Sequence, residues 1–185
     1  QIVLLRLDLN VPILDGKITD TNRIDKIIPT ISFLLSKNAK IVIISHVGRP
    51  KGKYKSELSL KPIRDNLSLQ IKENVKLEKK DIFRLKKNDL FQDEDDKILI
   101  LENIRFYPEE ENNNEKFSEH LAKLGDIYVN DAFSCSHREH ASVTSITKFI
   151  PSYSGLQINS EVKALRNITT EIKKPITCII GGSKI

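Results

Sequence analysis

The sequence has 185 residues, of which 39% are hydrophobic and 30% are charged, and a formal net charge of +5. This length suffices for one well-buried core with the start of a second unit, and the composition is that of an ordinary globular protein. No apolar run approaches the roughly 18 to 20 residues of a membrane span and no signal peptide is visible, so we expect a cytoplasmic protein without a membrane partner. The sequence contains no methionine, so we expect a fragment of a longer chain.

The first elements are a strand and an amphipathic helix. The apolar run Val3–Leu7 predicts a buried strand, which is followed by Asp8 and Asn10. Apolar residues at helical spacing between positions 24 and 35 predict the helix, and Arg23 lies in its first turn. A cation gains nothing from the positive end of a helix dipole, so Arg23 is either a surface residue or a partner of the helix start in binding an anion.

A second strand, Ile41–Ser45, leads into His46 and Arg49, and Pro50 stops both strand and helix. The following basic loop has three residues between Gly48 and Gly52, whereas a phosphate-binding P-loop has four. The G-x-G-x-x-G fingerprint of dinucleotide-binding proteins is also absent from the sequence. Helical periodicity then predicts a helix over 60–71.

The middle of the chain is charged and weakly periodic from residue 78 to 97, and the acidic run 93–96 favours a solvated turn over a metal site. The strand Ile98–Leu101 leads into Arg105, and a short helix is predicted over 115–124. The strand Ile127–Val129 leads into a polar loop with His137 and Arg138. We interpret His120 and His140 as structural or exposed, because neither combines a strand-end position with a neighbouring cation in the way that His46 and His137 do.

The last predicted elements are a helix over 161–172 and a strand, Ile176–Ile180, that leads into Gly181, Gly182, Ser183 and Lys184. Alternation of strands and helices predicts right-handed parallel crossovers. The predicted fold class is therefore α/β, with three α/β/α layers and a mostly parallel, Rossmann-like sheet. In such sheets, ligands bind at the carboxyl ends of the strands, where these polar residues collect.

Two cysteines are too few for a metal knuckle, and we predict no metal site. Cys178 falls in a predicted buried strand and fits a small core residue in a reducing compartment. Cys135 lies near His137 and Arg138, where a lowered thiol pKa is conceivable, but no dedicated base for a catalytic thiol is evident.

Eight of the 30 basic residues are arginines, and half of these lie in or beside the loops that follow predicted strands: Arg23, Arg49, Arg105 and Arg138. The planar fork of Arg suits phosphate and carboxylate oxygens. Aromatic residues make up 6% of the chain and none is interleaved with the basic loops, so base stacking has little support. A small anion is therefore a better candidate ligand than nucleic acid.

Several motifs resemble those of the phosphoglycerate kinase family, in matching order and spacing along nearly the whole chain. They are R-L-D-L-N-V-P at 6–12, S-H-V-G-R-P-K-G at 45–52, L-E-N-I-R-F at 101–106, V-N-D-A-F at 129–133, H-R-E-H-A-S at 137–142 and I-G-G-S-K at 180–184. The resemblance implies a 3-phosphoglycerate-binding domain over 1–155, an interdomain helix and hinge over 156–174, and the first strand of a truncated nucleotide-binding domain over 175–185.

The resemblance also implies the activity, which is reversible phosphoryl transfer from ATP to the carboxylate of 3-phosphoglycerate in glycolysis and gluconeogenesis. The implied partners are this small molecule and Mg-ATP or Mg-ADP, bound mainly by the second domain, in a monomeric cytoplasmic enzyme. The implied catalytic residues are Arg23 and Lys184, and Lys184 also approaches the nucleotide. The implied substrate-binding residues are Asp8, Asn10, Arg23, His46, Arg49, Arg105, His137 and Arg138.

The sequence departs from the family around His137. Small residues, commonly Gly-Thr-Ala, usually precede this histidine, whereas this chain has Ser134, Cys135 and Ser136. Glu139 replaces a small apolar residue, so its carboxylate either partly neutralises the pocket or points to solvent. We expect the chain alone to bind 3-phosphoglycerate weakly and to transfer no phosphate. Two other readings remain open, a non-catalytic anion-binding module and a basic domain that binds nucleic acid.

Overall fold

The computed structural model describes residues 1–170, 174, 175, 177, 179 and 181. The strands are β1 (Ile2–Leu7), β2 (Ile13–Leu14), β3 (Lys17–Ile18), β4 (Lys40–Ile44), β5 (Val75–Glu78), β6 (Ile98–Leu101), β7 (Ile127–Asp131) and β8 (Ser152–Ser154). The α-helices are α1 (Asn22–Ser36), α2 (Lys61–Ile71), α3 (Pro108–Glu111), α4 (Glu115–Ala122) and α5 (Leu156–Thr169). No helix in the described part of the chain is long and apolar enough to cross a membrane.

Six strands form one sheet in the order β5-β6-β4-β1-β7-β8, and every neighbouring pair is parallel. The strands β2 and β3 form a separate antiparallel hairpin. Because β4 and β7 flank β1 on opposite sides, the chain reverses its direction of travel across the sheet at β1. The carboxyl ends beside such a reversal form the crevice where open α/β sheets bind ligands.

Side chains of each central strand alternate between two apolar layers. Leu5 packs on one face with Ile27 of α1 and with α2, whereas Leu4 packs on the other face with Phe117 of α4. This alternation follows from the two-residue period of a strand, and both faces are covered because the sheet is parallel. The predicted three-layer α/β/α fold with a parallel sheet is confirmed.

Two strands of the six-stranded sheet were not predicted from the sequence, and neither was the hairpin of β2 and β3. The strand β5 is an edge strand of only four residues, V-K-L-E, two of which are charged. The strand β8 is the opposite edge strand, and all three of its residues are exposed. Edge strands bury little apolar surface, so hydrophobic periodicity does not distinguish them from loops.

The acidic run at 93–96 is not entirely solvated, which corrects the sequence-based interpretation. Asp96 is buried and accepts a hydrogen bond from Lys76 of β5, while exposed Asp93 lies 3.1 Å from the same ammonium group. The carboxylate of Asp96 is buried because a cation from the neighbouring edge strand pairs with it.

The helix α5 begins five residues earlier than the sequence predicts. Gly155 precedes its first turn, and the side chain of Asp131 accepts a hydrogen bond from the backbone N–H of Ile158 at 3.0 Å. This contact joins the helix start to the end of β7, so no local sequence pattern reveals it. The predicted strand at 176–180, Cys178, Lys184 and most of the segment 175–185 lie outside the described residues.

Candidate functional site: a cationic pocket at the carboxyl edge of the sheet

A pocket of about 240 Å³ lies where four parallel strands end. The ends of β1, β4, β6 and β7 supply its walls, and α1 adds Arg23. Its lining residues are Asp8, Asn10, Arg23, His46, Gly48, Arg49, Arg105, Ser134, Cys135 and Arg138. Seven of the eight substrate-binding residues that the family resemblance implies therefore line one pocket.

His137 is the exception. It is exposed and absent from the lining of the pocket, although its neighbour Arg138 contributes to the wall. A short 3-10 turn, Phe133–Cys135, directs Cys135 inward instead, where it is buried and is a free thiol. The signals for His137 were its strand-end position beside an arginine and the family resemblance, and neither fixes the direction of a side chain in a loop.

The carboxylate of Asp8 organises the side of the pocket nearest α1. One of its oxygens accepts hydrogen bonds from Arg23 and from the hydroxyl of Ser134, and the other accepts one from the backbone N–H of Asn10 at 3.2 Å. The side chain of Arg23 is 48% exposed and that of Asp8 is 13% exposed. Arg23 is therefore held at the rim of the pocket by a partner that leaves half of its surface accessible.

Gly48 connects two opposite walls. Its N–H donates to the side-chain oxygen of Asn10 at 2.8 Å, and its carbonyl accepts from the guanidinium of Arg105 at 3.2 Å. The φ angle of Gly48 is +63°, and a Cβ at this position would lie 2.7 Å from the side chain of Leu58. Glycine is therefore required by both the backbone conformation and the close packing.

Arg105 forms the floor of the pocket and is 4% exposed. Burial lowers the pKa of its guanidinium, but an arginine stays charged in proteins. Its Nε lies 3.7 Å from a carboxylate oxygen of Glu111, beyond hydrogen-bond distance. Among the described residues this buried Nε has no hydrogen-bond partner. The floor therefore holds a cation whose hydrogen-bonding capacity is only partly used.

Arg49 and Arg138 complete the cationic wall. Both are exposed and line the pocket, and neither forms an ion pair with any described residue. The pocket thus presents four arginines against the single carboxylate of Asp8. Glu139 next to Arg138 is exposed and does not line the pocket.

His46 is 3% exposed and faces several cations. Burial, followed by the charges of Arg6 and Arg105, lowers the pKa of His46 to about 2. His140 lies behind the same wall, and burial followed by the charge of Arg105 lowers its pKa to about 4. Both rings are therefore neutral at physiological pH, which agrees with the structural interpretation of His140.

Potential metal ligands also meet in this pocket. Asp8, His46 and Cys135 each offer one ligand atom, and the three atoms lie within 4.8 Å of one another. However, the carboxylate of Asp8 is already engaged by Arg23 and Ser134, and four arginines surround the group. The electrostatic balance of the pocket favours an anion over a cation.

Sequence reasoning did not identify the residues that support this pocket from behind. Arg6, Glu110 and Ser142 are fully buried, and the hydroxyl of Ser142 accepts a hydrogen bond from Arg6, 136 residues away in sequence, and donates one to Glu110, 32 residues away. Arg6 and Ser142 belong to motifs of the family resemblance, but an arginine inside an apolar strand gives no local indication of its partners.

The fold and the pocket define the chain as a three-layer α/β protein with a cationic crevice at the carboxyl edge of a parallel sheet. The sequence profile of the phosphoglycerate kinase family matches residues 1–185. The chain belongs to the phosphoglycerate kinase family.

Relatives and solved structures agree with this assignment. The phosphoglycerate kinases of Wolbachia pipientis wMel and Bartonella bacilliformis are 50% and 44% identical to the chain over 183 residues, which are 99% of the chain and 46% of each relative. The structure of phosphoglycerate kinase from Coxiella burnetii has a TM-score of 0.84 and 35% identity, over 94% of this chain and 43% of that one. The structure of phosphoglycerate kinase from Pyrococcus horikoshii has a TM-score of 0.82 and 32% identity, over 94% of this chain and 44% of that one. The chain therefore spans less than half the length of these proteins.

Proposed function

We propose that this chain provides the 3-phosphoglycerate site of a phosphoglycerate kinase. The observation that carries the proposal is the convergence of four arginines and a neutral histidine on one pocket with a single carboxylate. 3-Phosphoglycerate carries a phosphate and a carboxylate, with a total charge of about −3 at neutral pH. Its charge thus balances the excess of arginines in the pocket.

The seven lining residues that the family resemblance implies each have a role in this proposal. Asp8 and Asn10 hold the glycerate hydroxyl and backbone, and Arg49, Arg105 and Arg138 bind the phosphate together with His46. Arg23 lies at the rim, is half exposed, and faces the phosphoryl group that is transferred. His137 stands outside the pocket lining, so we assign it no direct contact with the substrate.

The reaction is a displacement at the γ-phosphorus of ATP. A carboxylate oxygen of 3-phosphoglycerate forms the new O–P bond while the bond to the β-phosphate oxygen breaks, which gives 1,3-bisphosphoglycerate and ADP. The nucleophile has a pKa near 4 and is already ionised, so the site needs no general base. It needs positioning and neutralisation of charge on the transferred group, which a cluster of arginines supplies.

The nucleotide and its Mg²⁺ are assigned mainly to a second domain. The described pocket is cationic and its only carboxylate is engaged, so it does not suit Mg²⁺ as a resident ion. Lys184 approaches the phosphoryl group from the nucleotide side in this proposal. When bound, Mg²⁺ neutralises charge on the nucleotide phosphates.

We propose a domain division at 1–155, 156–174 and 175–185. In its support, α5 carries exposed apolar side chains, among them Leu156, Leu165 and Ile168. An interdomain helix presents such a surface to the domain that follows it. The complete protein is proposed to act in glycolysis as a cytoplasmic monomer.

Calorimetric titration of 3-phosphoglycerate into the chain tests the proposal. We expect saturable binding that the double variant Arg23→Ala/Arg49→Ala abolishes. The matched control is Arg84→Ala/Lys86→Ala, which removes two exposed cations elsewhere and leaves affinity within roughly twofold. Absence of binding to a folded wild-type chain, or equal loss in both double variants, contradicts the proposal.

Two further measurements separate the alternative functions. Binding across many nucleic-acid phosphates falls steeply with salt, whereas a compact pocket of four arginines loses much less, so the titration is made at two salt concentrations. A coupled assay of ATP consumption by the complete protein, with the second domain that binds the nucleotide, distinguishes a kinase from an anion-binding module. Substrate binding without any turnover favours the module.

A further inference from the structure

Arg6 is an arginine inside the central strand β1 and has no exposed surface. Its guanidinium contacts three different groups. Nε donates to the hydroxyl of Ser142 at 2.9 Å, Nη1 donates to the carbonyl of Leu7, and Nη2 lies 3.2 Å from Nδ1 of His46. Arg6 does not line the substrate pocket, but it touches the back of a residue that does.

The contact with His46 determines where the imidazole carries its proton. A guanidinium has five N–H donors and no acceptor, so the only attractive arrangement has the lone pair of Nδ1 facing Nη2. A neutral ring with an unprotonated Nδ1 carries its hydrogen on Nε2. Among the described residues Nε2 has no hydrogen-bond partner, and the ring lines the pocket.

We propose that Arg6 is a positioning residue that fixes His46 as the neutral Nε2–H tautomer, so that His46 offers the bound anion an uncharged hydrogen-bond donor. The identity of the anion as 3-phosphoglycerate rests on the proposed function, whereas the tautomer does not.

The surroundings of Arg6 hold its guanidinium in this orientation. The hydroxyl of Ser142 accepts from Nε and donates to Oε1 of Glu110 at 2.7 Å, and Oε2 of Glu110 accepts from the backbone N–H of Ser142 at 2.8 Å. Ser142 therefore links the buried guanidinium of Arg6 to the buried carboxyl group of Glu110 through hydrogen bonds. With Leu7 on Nη1, rotation of the guanidinium away from His46 would break contacts on both of its other edges.

The charges around His46 favour the neutral ring. Arg6 from β1, Arg105 from the loop after β6 and Arg138 from the loop after β7 oppose a further positive charge, and His140 lies behind them. The carboxylate of Asp8 and the thiol of Cys135 also face the ring, with ligand atoms within 4.8 Å. Burial and the cations outweigh Asp8 and hold the pKa of His46 far below 6.5. The donor at Nε2 is therefore retained at every pH from 5 to 8.

Nitrogen-15 NMR of the histidine-labelled full chain tests the tautomer directly. Long-range proton–nitrogen correlations distinguish a protonated ring nitrogen from one with a lone pair. We expect a lone pair on Nδ1 and a proton on Nε2 of His46, with both shifts constant from pH 8 to pH 5. Averaged nitrogen shifts, a proton on Nδ1, or titration of His46 within this range overturns the proposal.

The variant Arg6→Lys tests the role of the guanidinium. A lysine keeps the positive charge near Glu110 but lacks the planar fork that reaches Ser142, Leu7 and His46 together. We expect the tautomers of His46 to mix and the affinity for 3-phosphoglycerate to fall roughly tenfold, as for loss of one hydrogen bond. Arg64→Lys on α2 is the matched control, and it should leave the tautomer of His46 and the affinity for 3-phosphoglycerate unchanged. If the Arg6 variant does not fold, the wild-type spectra decide the proposal alone.

The two proposals fail in different ways. If His46 shows the expected tautomer but 3-phosphoglycerate does not bind, the proposed substrate is wrong and the role of Arg6 stands. If the wild-type chain and a folded Arg6→Lys variant bind equally well, with the same His46 tautomer, the role of Arg6 is wrong and the substrate stands.

Discussion

Asp131, the last residue of β7, accepts a hydrogen bond from the backbone N–H of Ile158 in the first turn of α5. Its second carboxylate oxygen accepts from the hydroxyl of Thr30 in α1. One buried side chain thus joins a central strand to the helix that follows the proposed substrate domain. Gly155 allows this approach, because a Cβ there would lie 2.3 Å from the carboxyl group.

Replacement of Asp131 by alanine is expected to loosen α5 selectively. The change leaves the hydroxyl of Thr30 and the N–H of Ile158 without partners, which costs about 1 to 3 kcal/mol. Hydrogen exchange should accelerate in the first turns of α5 more than in β1. The exposed Asp95→Ala is the charge-matched control, and uniform acceleration across both elements would contradict the prediction.

Acidification is expected to destabilise the protein through its two buried histidines. The pKa values of His46 and His140 in the folded state, about 2 and about 4, lie below the value near 6.5 of the unfolded chain. Below pH 6.5 the unfolded chain therefore binds more protons, so the free energy of unfolding falls as the pH falls. The free energy of unfolding then falls by up to about 1.4 kcal/mol per pH unit for each histidine. The contribution of His140 stops changing near pH 4, where the folded state also binds the proton.

Urea unfolding at pH 7.5, 6.5 and 5.5 measures this dependence. Because burial raises the pKa of Glu110 and acts in the opposite direction at acid pH, the informative quantity is the difference between the wild type and His140→Asn. The variant should show a shallower pH dependence, and the exposed His137→Asn should match the wild type. If the free energy of unfolding of all three chains changes equally with pH, the lowered pKa of His140 is wrong.

Gly48→Ala is expected to damage both stability and the pocket. A non-glycine residue at positive φ costs about 1 to 2 kcal/mol, and the new Cβ would also press on Leu58. The shift of the loop would disturb the hydrogen bonds to Asn10 and Arg105. Gly16→Ala has the same backbone cost at φ +73° with open space around it, so it should lose stability but retain affinity for 3-phosphoglycerate.

Comparison of Gly48→Ala with Gly48→Ala/Leu58→Ala separates backbone strain at positive φ from the steric overlap between the new Cβ and Leu58. Truncation of Leu58 relieves the contact with the new Cβ but not the unfavourable φ angle. We expect part of the lost affinity to return in calorimetric titrations. No recovery would show that the backbone conformation alone sets the geometry of this wall.

Glu139→Gln is expected to change 3-phosphoglycerate affinity by less than roughly twofold, because an exposed charge outside the pocket is screened by salt. The result shows whether the carboxylate of Glu139 partly neutralises the pocket or points to solvent. Glu119→Gln, a change at a half-exposed side chain on α4 outside the pocket, is the control. A tenfold gain of affinity in the Glu139 variant alone would show that this carboxylate neutralises the pocket.

The sequence predicted the central part of the fold because β1, β4, β6 and β7 are largely buried on both faces and contain the continuous apolar runs 2–5, 41–44, 98–101 and 127–129. Polar residues directly after such strands had to meet at one edge, which is why Asp8, His46 and Arg105 line one pocket. Their roles in binding stay predictions. The edge strands β5 and β8 bury too little surface to leave a signal.

Long-range polar contacts were beyond the reach of sequence patterns. The start of α5 depends on Asp131, which is 27 residues from its partner Ile158. The orientation of Arg6 depends on Ser142, 136 residues away, which in turn bonds to Glu110 across 32 residues. The inward turn of Cys135 and the outward position of His137 follow from one 3-10 turn. Local periodicity carries no information about such partners.

The position of β1 between β4 and β7 has a consequence for synthesis of the chain. Of the described strands β1 leaves the ribosome first, and β4 can pair with one of its edges early, but β7 begins only at Ile127. The other edge of β1 therefore stays open until more than two thirds of these residues have emerged. During that interval the nascent chain presents unpaired backbone and the apolar Leu4 and Leu5 to chaperones or to a neighbouring chain.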